Sequence, residues 1–292
     1  MFDETKVLQR NRRCSPYWIK SKIRLGQIHD TKKILRKYGI NTVCEEARCP
    51  NITECFTKPA ATFMILGSKC TRNCSFCSIK SSPPEPPDAD EPENIGKAAQ
   101  EIKLRYVVIT SVTRDDLPDG GAGHFAKTVS SVKNYLPGVK VEVLTPDFQG
   151  NINHLKTVLD SNPDVFNHNI ETVPRLYPSI RPAADYRRSL DILKEAKKQK
   201  PHILTKSGIM LGLGETLLEV KNVLKDLRYS GCDFITIGQY MRPSKANIPV
   251  VEYIKPEVFE KLRLEAISIG FKYAASAPLV RSSMNAEEMY NN

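Results

Sequence analysis

TFMILGSKCTRNCSFC, residues 62–77, joins a short apolar run to three cysteines on one loop. The run TFMIL (62–66) is the first of a series. YVVITSV (106–112), VKVEVLT (139–145), DVFNHNI (164–170), HILTKSGIML (202–211) and DFITIGQY (233–240) follow, and a seventh run, FKYAASA, lies at 271–277. The intervals hold helix-like patterns such as HFAKTVSSVKNYL and YRRSLDILKEAKKQ. Strands that alternate with helices are parallel and joined by crossovers. Parallel sheets are buried on both faces, so their strands read as continuous apolar runs. Six such units are fewer than the eight of a closed barrel. The rhythm predicts an α/β fold and suits either an open (β/α)6 barrel or a doubly wound sheet.

Upstream of Ala61 no strong strand is evident. Asp30 can cap a short helix, TKKILRKY, and Gly39 sits where that helix would stop. The segment SSPPEPPDADEPEN (81–94) holds five prolines and five acids, and it predicts an extended surface connection between the cysteine loop and the first helix. The 292 residues suffice for one large domain or two small ones. No apolar stretch approaches the roughly 20 residues that span a bilayer. The opening MFDETKVLQRNRR reads as neither a secretory signal nor a transit peptide. A cytoplasmic protein with no membrane partner is expected. The net charge is +10, and residues 1–40 carry eleven Lys or Arg against three acids. Such a segment is either a solvated basic face or a docking surface for an acidic partner. Aromatic residues do not interleave with it in an RNA-binding pattern, so no nucleic-acid partner is expected.

Six of the eight cysteines lie between positions 44 and 77. In a long chain without an export signal, clustered thiols point to metal or catalysis rather than to disulfides. Cys70, Cys74 and Cys77 are spaced C-x3-C-x2-C. Three thiolates on a tight loop can each hold one iron of a cubane and leave the fourth iron open to a small molecule. A structural zinc site would need a distant fourth ligand. A second triplet, Cys44, Cys49 and Cys55, is spaced C-x4-C-x5-C. It could pool with the first in one site, or be three ordinary buried cysteines. Two adjacent triplets favour two separate clusters.

With these motifs the chain resembles the radical S-adenosyl-L-methionine (SAM) superfamily, and the upstream triplet resembles the lipoyl synthase family within it. Further stretches extend the likeness across about residues 40–285: TSVTRDDLPDGGAGHF (110–125), VFNHNIETVPRLYPSIRP (165–182), KSGIMLGLGET (206–216), CDFITIGQYMRPS (232–244) and VRSSM (280–284). The resemblance implies a partial (β/α)6 TIM barrel over residues 61–270. It also implies an N-terminal extension, 1–60, and a C-terminal segment, 271–292, that close the site. It implies two 4Fe-4S clusters, one on Cys70, Cys74 and Cys77, the other on Cys44, Cys49, Cys55 and Ser283. The first would cleave SAM to a 5′-deoxyadenosyl radical, and the second would be consumed as sulfur source. Serine suits that role, because its oxygen holds iron less firmly than a soft thiolate. The implied reaction inserts two sulfurs at carbons 6 and 8 of a protein-bound octanoyl-lysine. The implied substrates are lipoyl domains of 2-oxoacid dehydrogenases or the glycine-cleavage H protein, and the implied electron donor is a flavodoxin or ferredoxin.

Phe76, Asn169, Glu171 and Arg187 are candidates to contact SAM, and Arg281 to neutralise charge beside Ser283. The bland alternatives are loop packing for Phe76, helix capping for Asn169 and Glu171, and surface exposure for the two arginines. Asp115, Asp116 and Asp119 read as turn and solvation groups, the five histidines as structural, and Cys14 and Cys232 as free thiols. Two positions depart from the family pattern: Met284 stands where tyrosine is usual, and Asn247-Ile248-Pro249-Val250 where His-Leu-Pro-Val is usual. A methylthiotransferase type of radical enzyme is the runner-up, although no length remains for the RNA-binding domain that group often carries.

Overall fold

The computed structural model describes residues 16–19, 28–47, 49, 51–52, 61–284 and 286–291. Cys14, Cys55 and most of the basic N-terminal segment lie outside the described residues. The strands are β1 (Asn41–Thr42), β2 (Thr62–Ile65), β3 (Lys69–Cys70), β4 (Lys80–Ser81), β5 (Tyr106–Ser111), β6 (Lys140–Leu144), β7 (Val165–Asn167), β8 (Leu204–Leu211), β9 (Phe234–Gln239) and β10 (Tyr273–Ser276). The helices are α1 (Ile28–Lys37), α2 (Val43–Glu46), α3 (Glu91–Ile102), α4 (Ala122–Tyr135), α5 (Ile152–Asp160), α6 (Tyr177–Ile180), α7 (Tyr186–Gln199), α8 (Leu217–Tyr229), α9 (Pro256–Ser268) and α10 (Ala286–Asn291).

Strands β2, β5, β6, β7, β8, β9 and β10 stand in sequence order in one sheet, each parallel to its neighbours. That order decides the question the rhythm left open. A doubly wound sheet reverses direction at a switch point. Here the winding never reverses, which is the topology of a partial barrel. The sheet is open, with β10 at one end and the short antiparallel β1 at the other. Both proposed extensions therefore add a strand to the sheet.

The two faces of β5 show the layering. Val107 and Ile109 point into the main core with Ala98 of α3 and Val129 of α4. Tyr106 and Val108 point to the other face, where Ala286 and Tyr290 of α10 cover them. The side-chain period of two makes this division. The last helix thus lies against the inner face of the sheet, at the start of β5.

The Pro-rich segment differs from the expectation at its end. Helix α3 begins at Glu91, inside the stretch predicted to be extended, with Pro92 in its first turn. Proline is tolerated there because the first N–H groups have no partner within the helix, and Glu91 and Glu93 favour the positive helix end. Glu91 also accepts the Leu66 amide at 2.8 Å and lies 2.7 Å from His124 Nε2. Asp30 lies within α1 rather than at its cap.

Candidate active site

The chain leaves β2 through a tight turn, with Leu66 and Gly67 at φ 68° and 87°. This puts the cysteine loop at the carboxyl ends of the parallel strands, the edge where sites in such folds gather. Loops from the same edge hold it. The Thr71 amide donates to the Thr113 carbonyl after β5 at 3.0 Å, and the Ser75 amide to the Ile180 carbonyl at 3.0 Å. Asn247, after β9, donates from Nδ2 to the Ser75 and Cys77 carbonyls at 3.3 and 2.7 Å. The unusual asparagine at this position therefore clamps the loop directly.

Backbone N–H groups already point at two of the sulfurs. Cys70 Sγ accepts from Arg72 and Thr113 at 3.4 and 3.3 Å, and Cys77 Sγ accepts from Ile79 at 3.4 Å. Burial pushes the Cys77 thiol up to about 12 and raises that of Cys74, where the Arg181 charge opposes the shift. Iron reverses such a preference, because a thiol bound to metal is deprotonated outright. Among the described residues no three His, Cys, Asp or Glu side chains are placed to hold a single metal ion. A cubane asks for something else: three nearby thiols, each with its own iron, and N–H donors to the sulfur. The Cys70–Cys77 loop fits that demand.

The Cys70–Cys77 loop has an electrostatic footing that its spacing does not reveal. Arg72 is buried, and its Nε and Nη2 grip Asp115 at 2.7 and 2.9 Å. Nη2 also donates to Asp147 Oδ1 at 2.6 Å. Burial alone would raise the Asp147 carboxyl, but Arg72 overcomes it and brings the group down to about 2. Asp115 is thus an anchor, whereas Asp119 is the turn group expected, accepting the Gly121 and Gly123 amides at 2.9 and 2.8 Å. Asp147→Asn should cost about 2–3 kcal/mol of stability, because Arg72 is left buried and under-paired. A carboxyl with a depressed folded value contributes fully above its unfolded value and loses that contribution on acidification. The difference between wild type and variant should be constant near neutral pH. It should shrink as pH falls from roughly 4 toward about 2, read as urea midpoints across pH.

Asn169 and Glu171 follow β7, and the Glu171 charge acts on Cys74 and Cys77. Glu171 has φ 65°, an uncommon value for a side-chain-bearing residue, and its strand bridge to Ile209 holds it there. Asn169 Nδ2 donates to Glu171 Oε1 at 3.1 Å. Burial raises the Glu171 carboxyl, against the opposing charge of Arg181. Phe76 packs against the cluster of Ile180, Leu213 and Tyr240. Arg187 is exposed on α7. The buried arginine of this region is Arg181, whose Nη1 donates to the Asn169 and Ile170 carbonyls at 3.1 Å each. Its Nε, with His168 Nε2, Asn167 Oδ1 and Thr145 Oγ1, is buried without a hydrogen-bond partner. Buried polar atoms are seldom left unpaired, so this edge suits a polar ligand. His168 is held neutral by burial, which lowers it to about 4.

The second cysteine segment meets the C-terminal one. Cys44 is buried in the single turn α2, which Thr42 caps, and the Cys49 amide donates to the Cys44 carbonyl at 3.1 Å. The buried Asn51 reaches across from Nδ2 to the Leu279 carbonyl at 2.6 Å and to Met284 Sδ at 3.2 Å. Burial lowers the Arg281 guanidinium, and the charge of nearby Cys49 opposes that shift. Cys49 and the R-S-S segment are therefore neighbours, and Met284, the other departure from the family pattern, helps join them. Arg281 donates to the Val280 carbonyl at 2.7 Å. The Ser283 hydroxyl has no hydrogen-bond partner among the described residues, whereas that of Ser282 is fully engaged. Cys55 lies outside the described residues. Cys232 is buried, with its sulfur 3.2 Å from the Phe234 carbonyl, and burial raises its thiol; it is a core residue.

Comparison with known proteins places this geometry. The model of the radical SAM superfamily matches residues 64–227, and that of the N-terminal domain of lipoyl synthase matches residues 1–49. Over 274 residues the chain is 56% identical to a lipoyl synthase of Caldicellulosiruptor saccharolyticus, covering 94% of this chain and 96% of that one. Over 279 residues it is 54% identical to a lipoyl synthase of Alkaliphilus metalliredigens, covering 95% and 96%. Two solved structures share the fold at low identity. Methylornithine synthase matches with TM-score 0.55 at 13% identity, covering 90% of this chain and 88% of that one. Streptococcus suis SuiB bound to its precursor peptide matches with TM-score 0.58 at 11% identity, covering 94% and 60%.

Proposed function

The chain belongs to the lipoyl synthase family of the radical SAM superfamily, and on that premise we propose that it inserts sulfur at carbons 6 and 8 of an octanoyl-lysine carried by a lipoyl domain. The observation that carries this reading is that the second cysteine segment meets the R-S-S segment through Asn51 and meets the first cysteine segment through Ser78 and the Glu46 carbonyl. When bound, the 4Fe-4S cluster and SAM supply the one-electron chemistry that opens an unactivated C–H bond, and the auxiliary cluster supplies sulfur.

The chain's own part is placement. Cys70, Cys74 and Cys77 hold the first cluster, on a loop that Arg72, Asp115 and Asp147 fix to the barrel. Asn169, Glu171 and Arg181 line the edge beside it and offer groups for the amino-acid and ribose parts of SAM. Phe76, half-buried, walls the loop on its apolar side. Cys44, Cys49 and Cys55 with Ser283 hold the auxiliary cluster, and Arg281 offsets its negative charge. Residues 1–60 and 271–292 act as extensions that bring these ligands to a barrel core of residues 61–270. Such enclosure excludes water and aligns the reacting atoms. No helix among the described residues is long and apolar enough to cross a membrane. Clustered thiols of this kind suit a reducing cytoplasm. An acidic flavodoxin or ferredoxin would match the net charge of +10 as electron donor.

The reading is tested by incubating the anaerobically reconstituted protein with an octanoylated lipoyl-domain peptide, SAM and a reductant, then weighing the peptide. A mass gain equal to two sulfur atoms, two C–H bonds having become two C–SH groups, is the expected result. SAM cleavage without any sulfur gain would overturn it.

A further inference from the structure

The inner face of the sheet carries a pair of charges that the site above does not use. Lys206 of β8 and Glu142 of β6 are each 1% exposed, and the Lys206 ammonium lies 3.1 Å from both Glu142 oxygens. Replacing such a pair by well-packed hydrocarbon is often neutral or stabilising. Its chemistry is therefore better explained by what it directs than by what it stabilises.

Four side chains take their orientation from Glu142. Asn167 donates from Nδ2 to Glu142 Oε1 at 2.8 Å. The same Nδ2 donates to Ser282 Oγ at 3.0 Å. Ser282 donates to Asn169 Oδ1 at 2.9 Å, and Asn169 donates to Glu171 at 3.1 Å. An Asn167 amide turned the other way would set its oxygen against the carboxylate, so the charge fixes the amide. Ser282 must then accept from Asn167 and spend its own proton on Asn169. Each later donor and acceptor is decided in turn. Lys206 neutralises the carboxylate, which also accepts the Tyr106 hydroxyl at 2.9 Å.

Tyr106 extends the same anchor to the far side of the R-S-S segment. Its ring packs on Tyr290 of α10, with centroids 6.0 Å apart. Residue 283 therefore stands between two points, 282 and 290, that both refer back to Glu142. Room for the segment is built in as well. A side chain at Gly238 would meet the Val280 carbonyl at 2.2 Å, and one at Gly208 would meet Asn169 Oδ1 at 2.8 Å.

We propose that the buried Glu142–Lys206 pair is the footing of a brace, through Asn167 and Ser282, that positions the Arg281–Met284 segment and ties it to Asn169 and Glu171. These are positioning residues. The role rests on reading Ser283 as an auxiliary-cluster ligand and Asn169 and Glu171 as SAM contacts. The brace would set the distance between the two cofactor sites.

The test uses the cluster-loaded protein with Glu142→Gln combined with Lys206→Met, a change that removes both charges at near-constant volume. Hydrogen exchange is measured by mass spectrometry alongside the ratio of SAM cleaved to sulfur inserted. Exchange in peptides covering 279–284 should rise about tenfold, as for the loss of one or two hydrogen bonds. Peptides of α4 should be unchanged, and the cleavage-to-insertion ratio should rise. Ser282→Ala should reproduce the exchange effect, and Ser282→Thr, which keeps the hydroxyl, should restore protection. Unchanged exchange at 279–284 in the double variant overturns the brace. So does a loss of protection spread evenly over β6, β7 and β8, which would assign the pair to fold stability alone. Should the double variant not fold, the Ser282→Ala and Ser282→Thr pair decides by itself. Wild-type protein that cleaves SAM but inserts no sulfur would sink the functional reading while leaving the exchange result to stand.

Discussion

Cys70→Ala should lower 5′-deoxyadenosine formation from SAM by more than roughly 100-fold, the upper end of what loss of one supporting group costs a metal site. Cys70 ends β3 and is the best-anchored sulfur of its triplet, with two backbone N–H groups aimed at it from Arg72 and Thr113. Such N–H donors are what a cluster-bound sulfur accepts from. Alanine leaves an iron without its thiolate and leaves the two amides aimed at nothing. The fold should survive, because the loop keeps the Arg72 grip on Asp115 and Asp147 and the Asn247 clamp. Chromatography of the nucleoside product after incubation with SAM and a reductant, with circular dichroism as the folding control, gives the reading. Deoxyadenosine at the wild-type rate would mean that Cys70 is not a cluster ligand.

The parts of the fold that were legible in the sequence are those written in local pattern. All seven apolar runs contain strands of the sheet, and the run YRRSLDILKEAKKQ coincides with α7 (Tyr186–Gln199). Continuous apolar runs betray strands buried on both faces. Strand order is not a property of any one run, so periodicity could not choose between a barrel and a doubly wound sheet. The pairing registers make that choice. Glu91 and Pro92 were drawn into an extended segment by composition, although acid and proline also mark a helix start.

The site divides the same way. Thiols at fixed spacing on one loop are visible in sequence because all three ligands are close along the chain. Arg72 and Asp147 are 75 residues apart, and Glu142 and Lys206 are 64 apart. Each is a lone charge in a stretch that otherwise reads as loop or strand. A single Lys inside HILTKSGIML is easily taken as a solvated strand end. The partner that explains it is two strands away, across β7. Arg181 lies in the SIRP stretch and is buried, whereas Arg187, six residues on, is exposed. Sequence alone gives both the same charge, and only burial separates them.

Cys44→Ala should leave SAM cleavage within roughly twofold of wild type, because additivity between separate sites holds in general, and should abolish sulfur insertion. One contact between the two segments runs through backbone and a hydroxyl: Ser78 Oγ donates to the Glu46 carbonyl, one residue past the first loop's last cysteine and two past Cys44. That contact needs no sulfur at position 44. Cys44 is 7% exposed within α2, and alanine is a good helix residue there, so the turn and its Thr42 cap should persist. The Asn51 bridge to Leu279 and Met284 keeps the segment beside Ser283. What is lost is one thiolate of the proposed auxiliary set, and iron bound by the protein should fall toward half. Iron counting, deoxyadenosine yield and peptide mass measured on one preparation separate the possibilities. Loss of cleavage together with insertion would show that the triplets form a single centre, and retention of both would remove Cys44 from the ligand set.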